Sequence, residues 1–369
     1  MNLPQNKCCK RLFIQIKGQF ADLFSFIGRT IKVVKVDRVS MRFLIITLTF
    51  LALTGCQWLS HPIDNLFETY IGRIANVQDA DALEITQNQN IILPDKRALM
   101  IEIPSLTIGL LDSYELRKCD LFNLIAERNS VLGKVQDQFR NYDYQVDVIS
   151  GIESCLNSDV ISTSLKQELH TLLALKQNQL AAHFSNLLFA SDAMRSQLSA
   201  SEWLDQQHTS ANKMLTTGLD NLAAHYLMLN GEQQQAKSLV PFQESFEKQV
   251  TIGKVVYSML NASHKLDQIT AQLEQYDEKI VCGPGRNDTR FKTLRNVFQS
   301  FFVEQIQPYL ARVDSAYLQI SQSGTLLENA HPSYQYPLLH YHQVYRESIS
   351  QHVQYWQALF KRCDASPTR

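Results

Sequence analysis

Glycine and proline are scarce, 13 and 10 residues in a chain of 369. Turn-rich, collagen-like and low-complexity chains need far more of both, so a sequence this rich in Leu, Gln and Ala is expected to be helical. Charge is also thin, at 19% of residues against 45% hydrophobic, which excludes a disordered chain and leaves ample apolar mass for a core. Short catalytic signatures are missing too. There is no His-Glu-x-x-His, no Gly-x-Ser-x-Gly, no Gly-x-x-x-x-Gly-Lys and no Cys-x-x-Cys, so no metal, cofactor or reaction is indicated by motif. Basic runs are absent where nucleic acid would need them. Residues 1–55 hold nine of the 35 basic side chains and two of the 36 acidic ones, leaving 26 against 34 in the rest. A body at net −8 with no Lys/Arg run longer than two lacks the stripe that phosphate contacts require.

What is present begins with an export signal. Met41-Arg42 precedes an 11-residue apolar run, Phe43 to Leu53, and then Thr54-Gly55-Cys56. At about 1.5 Å per residue that run is too short to cross a hydrocarbon core of about 30 Å, so it reads as a signal rather than an anchor. Leu53-Thr54-Gly55-Cys56 resembles the bacterial lipobox. The resemblance implies cleavage before Cys56, a diacylglyceryl thioether on its sulfur and acylation of the new amino group, palmitate being a typical chain. Several acyl chains make a stable tether where one would be marginal. Gln57, rather than Asp, follows Cys56, which in such proteins implies the periplasmic face of the outer membrane. The expected organisation is a miscalled start or basic leader over 1–40, a signal peptide over 41–55, and a mature domain over 56–369 with a sub-boundary possible near 231–241.

The mature region holds Cys119, Cys155, Cys282 and Cys363, an even number in a compartment that permits disulfides. Periodicity ranks the three connectivities. A helix over Asp120 to Gly133 followed by one over Tyr142 to Cys155 would bring Cys119 beside Cys155. The stripe Phe291, Leu294, Phe298, Phe301, Phe302, Ile306, Tyr309 and Val313, with a kink expected at Pro308, is matched by Tyr345, Ile349, His352, Trp356, Leu359 and Cys363 beyond a loop near 323–337. Folded back, these bring Cys282 beside Cys363. Other helices are expected from Pro62 to about Ile74, over Leu165 to Leu188, and from a capping box at Ser199-Ala-Ser-Glu202 to about Asn230. Ile91 to Ile103 favours extended structure. The expected fold is an all-α antiparallel helical bundle stapled by two disulfides.

Isolated chemical candidates are weak. Ser210-Ala-Asn-Lys213 spells Ser-x-x-Lys but lacks a companion Lys-Thr-Gly. His340 and His342, two apart on a helical stretch, point to different faces, and His352 lies on the apolar stripe as a satisfied core residue. One stretch stands out: Asp112, Glu115, Glu127, Arg128 and Asn129 crowd charge into an otherwise apolar helical region. If buried these groups must pair, as an ion-pair network or as a polar pocket with Glu127 and Arg128 at a ligand, joined by Arg286 or Arg295.

The run Leu124-Ile-Ala-Glu-Arg-Asn-Ser-Val-Leu-Gly-Lys-Val135 resembles the domain-of-unknown-function 3080 proteins, a family of proteobacterial lipoproteins. Cys282-Gly-Pro-Gly-Arg286, Leu294-Arg-Asn-Val-Phe298 and Gln307-Pro-Tyr-Leu310 are similar to further blocks of that family. Where the family continues toward Pro-Ser, this chain has Gln136-Asp137-Gln138. The resemblance implies a lipoprotein and no activity. The reading is therefore a noncatalytic binding or scaffolding protein of the envelope, attached to the membrane through lipid on Cys56, with an envelope protein or lipid as partner. A periplasmic hydrolase using Glu127 is the alternative.

Overall fold

Pro62 opens the first helix, where its missing N–H is no loss. In the computed structural model, which describes residues 61–105, 115–119, 121–131, 133–205, 213–232 and 236–366, helix α1 runs Pro62–Gln78 and is capped by the His61 ring. Residues His61–Arg369 form one compact unit. Helix α1 buries Ile63, Phe67, Tyr70, Ile71 and Ile74, one turn apart, as an amphipathic stripe must. Cys56, Gln57 and Asp112 lie outside the described residues, as does Ser210.

Residues 80–105 are extended apart from one turn of helix, Lys96–Leu99. No strand forms among the described residues; the segment makes a single bridge, Ile91 to Ala200. Its backbone is satisfied by amide side chains reaching from helices. Asn261 accepts from Gln89 N at 2.7 Å and donates to its carbonyl at 3.0 Å. Asn186 does the same for Ile101, at 2.8 and 2.9 Å. Buried peptide groups need partners, and these amides replace a neighbouring strand.

Helix α2 spans Leu121–Asn129, five residues shorter than the pattern suggests. Gly133 explains the stop: a Cβ there would sit 2.4 Å from the carbonyl oxygens of Glu127 and Arg128, so the chain turns back tightly onto the helix end. Helix α3, Gln138–Leu156, starts earlier than expected because Asp137 caps Phe139 N and Arg140 N. Helix α4, Thr163–Ala190, is capped by Ser162, and α5 is Asp192–Leu198. The capping box expected at Ser199 starts no helix. Ser199 is extended, Ala200 pairs with Ile91, and Trp203 and Leu204 are drawn into the core; burial overrides the local capping signal.

Helices α6 (Lys213–Leu229), α7 (Gln243–Lys248) and α8 (Ile252–Gln275) follow. Helix α8 is buried along most of its length. Helix α9 (Thr289–Val297) passes through a π-helix (Phe298–Ile306) into α10 (Gln307–Ile320). The wide coil sits where a kink was expected. Gln307 N bonds five residues back, to Phe302 O, which moves the backbone clear of the Pro308 ring. Helix α11, Gln322–Asn329, occupies half of the expected loop, and α12 is Leu338–Arg362.

Helix α12 lies antiparallel to α9–α10. Phe298 meets Trp356 at 4.2 Å, Phe302 meets His352 at 4.6 Å, and Tyr345 donates to Leu310 O at 2.7 Å. Against α8 and the turn that follows it, its partners advance together: His352 meets Thr270 at 2.9 Å, and Tyr355 donates to Asp277 at 2.7 Å. The bundle thus mixes both directions. Cys119–Cys155 and Cys282–Cys363 are bonded, each with Cα atoms 5.3 Å apart, as the helical stripes indicated. One large core runs through most of the unit, and a smaller one of Leu116, Leu121, Val148, Ile152, Cys155, Ile161, Leu165, Leu169 and Leu172 lies around the first disulfide.

Candidate functional site

Three helices and a strap meet beside that smaller core. Helices α3 and α4 pair in opposite directions, since Asn141 bonds His183 at 3.1 Å and Gln145 accepts from Lys176 at 2.7 Å. Helix α2 leans on α3, with Leu121 against Gly151 at one end and Arg128 bonded to Asn141 at 3.1 Å at the other. Between them opens a cavity of about 720 Å³, closed on a further side by Ile103, Pro104 and Ser105. That volume is in the range of small-molecule sites.

The walls are graded. Phe122, Ile125, Val148 and Leu172 line one end, next to the smaller core. Gln145, Lys176 and Gln179 lie midway, and Arg128, Asn141 and His183 form the far end. No acidic side chain lines the cavity among the described residues. Arg128 also donates to Gly133 O and, at 3.1 Å, to Gln136 Oε1, and its guanidinium sits 5.6 Å over the Tyr144 ring. Among the described residues, every hydrogen-bond acceptor of Arg128 is a neutral oxygen and no carboxylate pairs with its charge.

That field shows on its neighbours. Burial, followed by the charge of Arg128, pushes the Lys176 amine down. His183 is held down to about 4 by burial, then by Lys176 and Arg128, so it is neutral at pH 7. Asn141 Nδ2 donates to His183 Nδ1, because Asn141 Oδ1 is already taken by Arg128; this places the imidazole proton on Nε2. Gln179 is oriented likewise. Its Nε2 donates to Pro104 O at 3.1 Å, while its Oε1 is buried with no partner among the described residues.

Of the residues expected to cluster, the structure joins only Arg128 and Asn129 in this cavity. Glu127 is exposed and lines no part of it. Glu115 accepts from Ser162 N and Oγ at 2.9 and 3.0 Å and pairs with Lys118, and so ties down the start of α4. Arg286 is exposed beyond the Cys282 turn, and Arg295 is half-buried on α9; neither lines the cavity. The expected ion-pair network is not formed among the described residues of this cluster, where a cation held by amides and carbonyls stands in its place. Lys176, Gln179 and His183 carry no motif and share their helix with the apolar stripe of Leu165 to Leu188. Their spacing of four, three and four from Leu172 puts all four on one face.

His352 and His342 are held by structural hydrogen bonds. Trp356 Nε1 donates to His352 Nε2 at 3.1 Å, and the ring bonds Thr270 at 2.9 Å. His342 bonds Asp314 at 2.8 Å and stacks on Tyr317, while His340 is exposed. No group of three or more His, Cys, Asp or Glu could hold a metal ion, and no helix is long and apolar enough to cross a membrane, among the described residues. No curated protein and no solved structure matches the chain. The cavity, both disulfides and the four sequence blocks noted above all fall within residues 67–367, over which the chain matches the family described as protein of unknown function (DUF3080), and it belongs to that family.

Proposed function

We propose that this is a lipid-anchored envelope protein that binds an anionic ligand in the α2–α3–α4 cavity and does not transform it. One observation carries the reading: Arg128, Lys176 and the Nε2–H of His183 meet in a cavity whose described walls contain no carboxylate. Two cations left without a counterion in a half-desolvated site favour an anion, and charge-assisted bonds supply its affinity. The noncatalytic half rests on His183, which is oriented by an amide rather than a carboxylate and is too weakly basic to take a proton near pH 7. Glu127, the acid a hydrolase would need, is exposed outside the cavity. The lipobox-like Leu53 to Cys56 supports the anchor.

The test is a thermal-melting titration of the full-length protein with sodium phosphate at constant ionic strength. Phosphate is expected to raise the melting temperature in a saturable way. Lys176→Gln, which removes one charge and keeps a donor to Gln145, should weaken that effect about tenfold or more, as expected for one charge-assisted hydrogen bond. An unchanged midpoint in the variant would exclude the cavity as the anion site.

A further inference from the structure

We infer that the ligand is an amphiphilic anion, lying along the cavity with its headgroup at Arg128, Lys176 and His183 and its apolar chain against Phe122, Ile125, Val148 and Leu172. This rests on the anion site proposed above and adds the chemistry of the rest of the molecule. The register of the helices sets the direction. On α4, Leu172, Lys176, Gln179 and His183 follow one another over 11 residues, about 16 Å at 1.5 Å per residue. On α3 the order runs the opposite way: Asn141 sits at His183, Gln145 at Lys176, and Val148 three residues further on. Helix α2 repeats the gradient, with Arg128 bonded to Asn141 and Ile125 and Phe122 one and two turns back. All three helices therefore agree on which end is cationic and which is apolar.

A free inorganic anion would use only the cationic end. Phe122 and Ile125, both half-buried, would then keep apolar surface in contact with water, which is unfavourable in proportion to its area. Gln179 Oε1 adds a constraint midway along. It is a buried acceptor without a partner among the described residues, its orientation fixed by the bond from Nε2 to Pro104 O. A buried unpaired carbonyl costs free energy, and a hydroxyl or N–H carried beside the headgroup would satisfy it. The recognised class is thus an alkyl or acyl chain carrying one phosphate or carboxylate, with a donor adjacent to it. Such a molecule can come from the bilayer or from solution.

The probes are octyl phosphate, octanol and inorganic phosphate, titrated calorimetrically into the full-length lipidated protein held in nanodiscs of zwitterionic lipid. Octyl phosphate is expected to bind at least tenfold more tightly than either inorganic phosphate or octanol, with a negative heat-capacity change from apolar burial. Ile125→Ser, at a half-buried position, should erase the advantage of the octyl chain and leave inorganic phosphate binding unchanged. Octyl phosphate binding no better than inorganic phosphate would overturn the amphiphile and leave the anion site standing. Loss of all three signals, or insensitivity of both phosphates to Lys176→Gln, would overturn the anion site itself. With anionic phospholipid in the discs, competition against octyl phosphate assigns a membrane lipid, and undiminished binding assigns a soluble amphiphile; either result sustains the class.

Discussion

His352 shows how a titratable side chain becomes a stability term. The ring is fully buried and held down to about 3 by that burial, with Trp356 donating to one nitrogen and Thr270 on the other. In the unfolded chain the same ring takes a proton near 6.5. The folded state therefore binds fewer protons between those values: stability is full above about pH 6.5 and falls as pH drops toward 3, by an amount on the order of 4 kcal/mol. His183 and His225 are depressed in the same direction and add to the slope. Urea unfolding at a series of pH values should show this decline, and His352→Asn should flatten it by about 1.4 kcal/mol per pH unit. An unchanged slope in the variant would mean that His352 is already protonated in the folded protein.

Helix α2 is nine residues long, too short to persist by its own propensity. It is held at its start by Cys119–Cys155 and at its end by the Arg128 hub, and it supplies Phe122, Ile125 and Arg128 to the cavity. A loop of this length makes the disulfide worth about 4 kcal/mol on the chain-entropy model. In a Cys119→Ala, Cys155→Ala protein, amides of residues 121–129 should lose hydrogen-exchange protection before those of α8, and phosphate affinity should fall with them. Unaltered protection of α2 would show that packing alone holds it. Such helices were legible where one face is apolar: α1, α4, α12 and both disulfides follow from spacing. The π-helix and the start of α6 were not, since each answers to contacts distant in sequence or to a single proline ring. The cavity was half legible. Arg128 and Asn129 stood out in a charged cluster, but Lys176 and His183 sit more than 40 residues away on α4, and only the α3–α4 pairing brings them to the same space.

At the scale of the molecule, charge and anchorage answer each other. The region after residue 55 carries 26 basic and 34 acidic side chains, so its mean field repels an anionic bilayer, and its cationic cavity is a local exception within it. Long-range attraction to anionic lipid is weak for such a body. On the proposed anchorage, membrane attachment therefore rests on acyl chains at Cys56, each buried methylene contributing about 0.8 kcal/mol. This separates two variants that electrostatic binding would treat alike. Cys56→Ala should abolish labelling by a radioactive fatty acid and leave an uncleaved precursor. Lys176→Gln should be labelled, processed and membrane-bound as the parent is, at any salt concentration, while binding phosphate about tenfold or more weakly. Fatty-acid labelling that survives in Cys56→Ala would refute the lipid site. Release of the parent protein from membranes by high salt alone would show that charge, not lipid, holds it there.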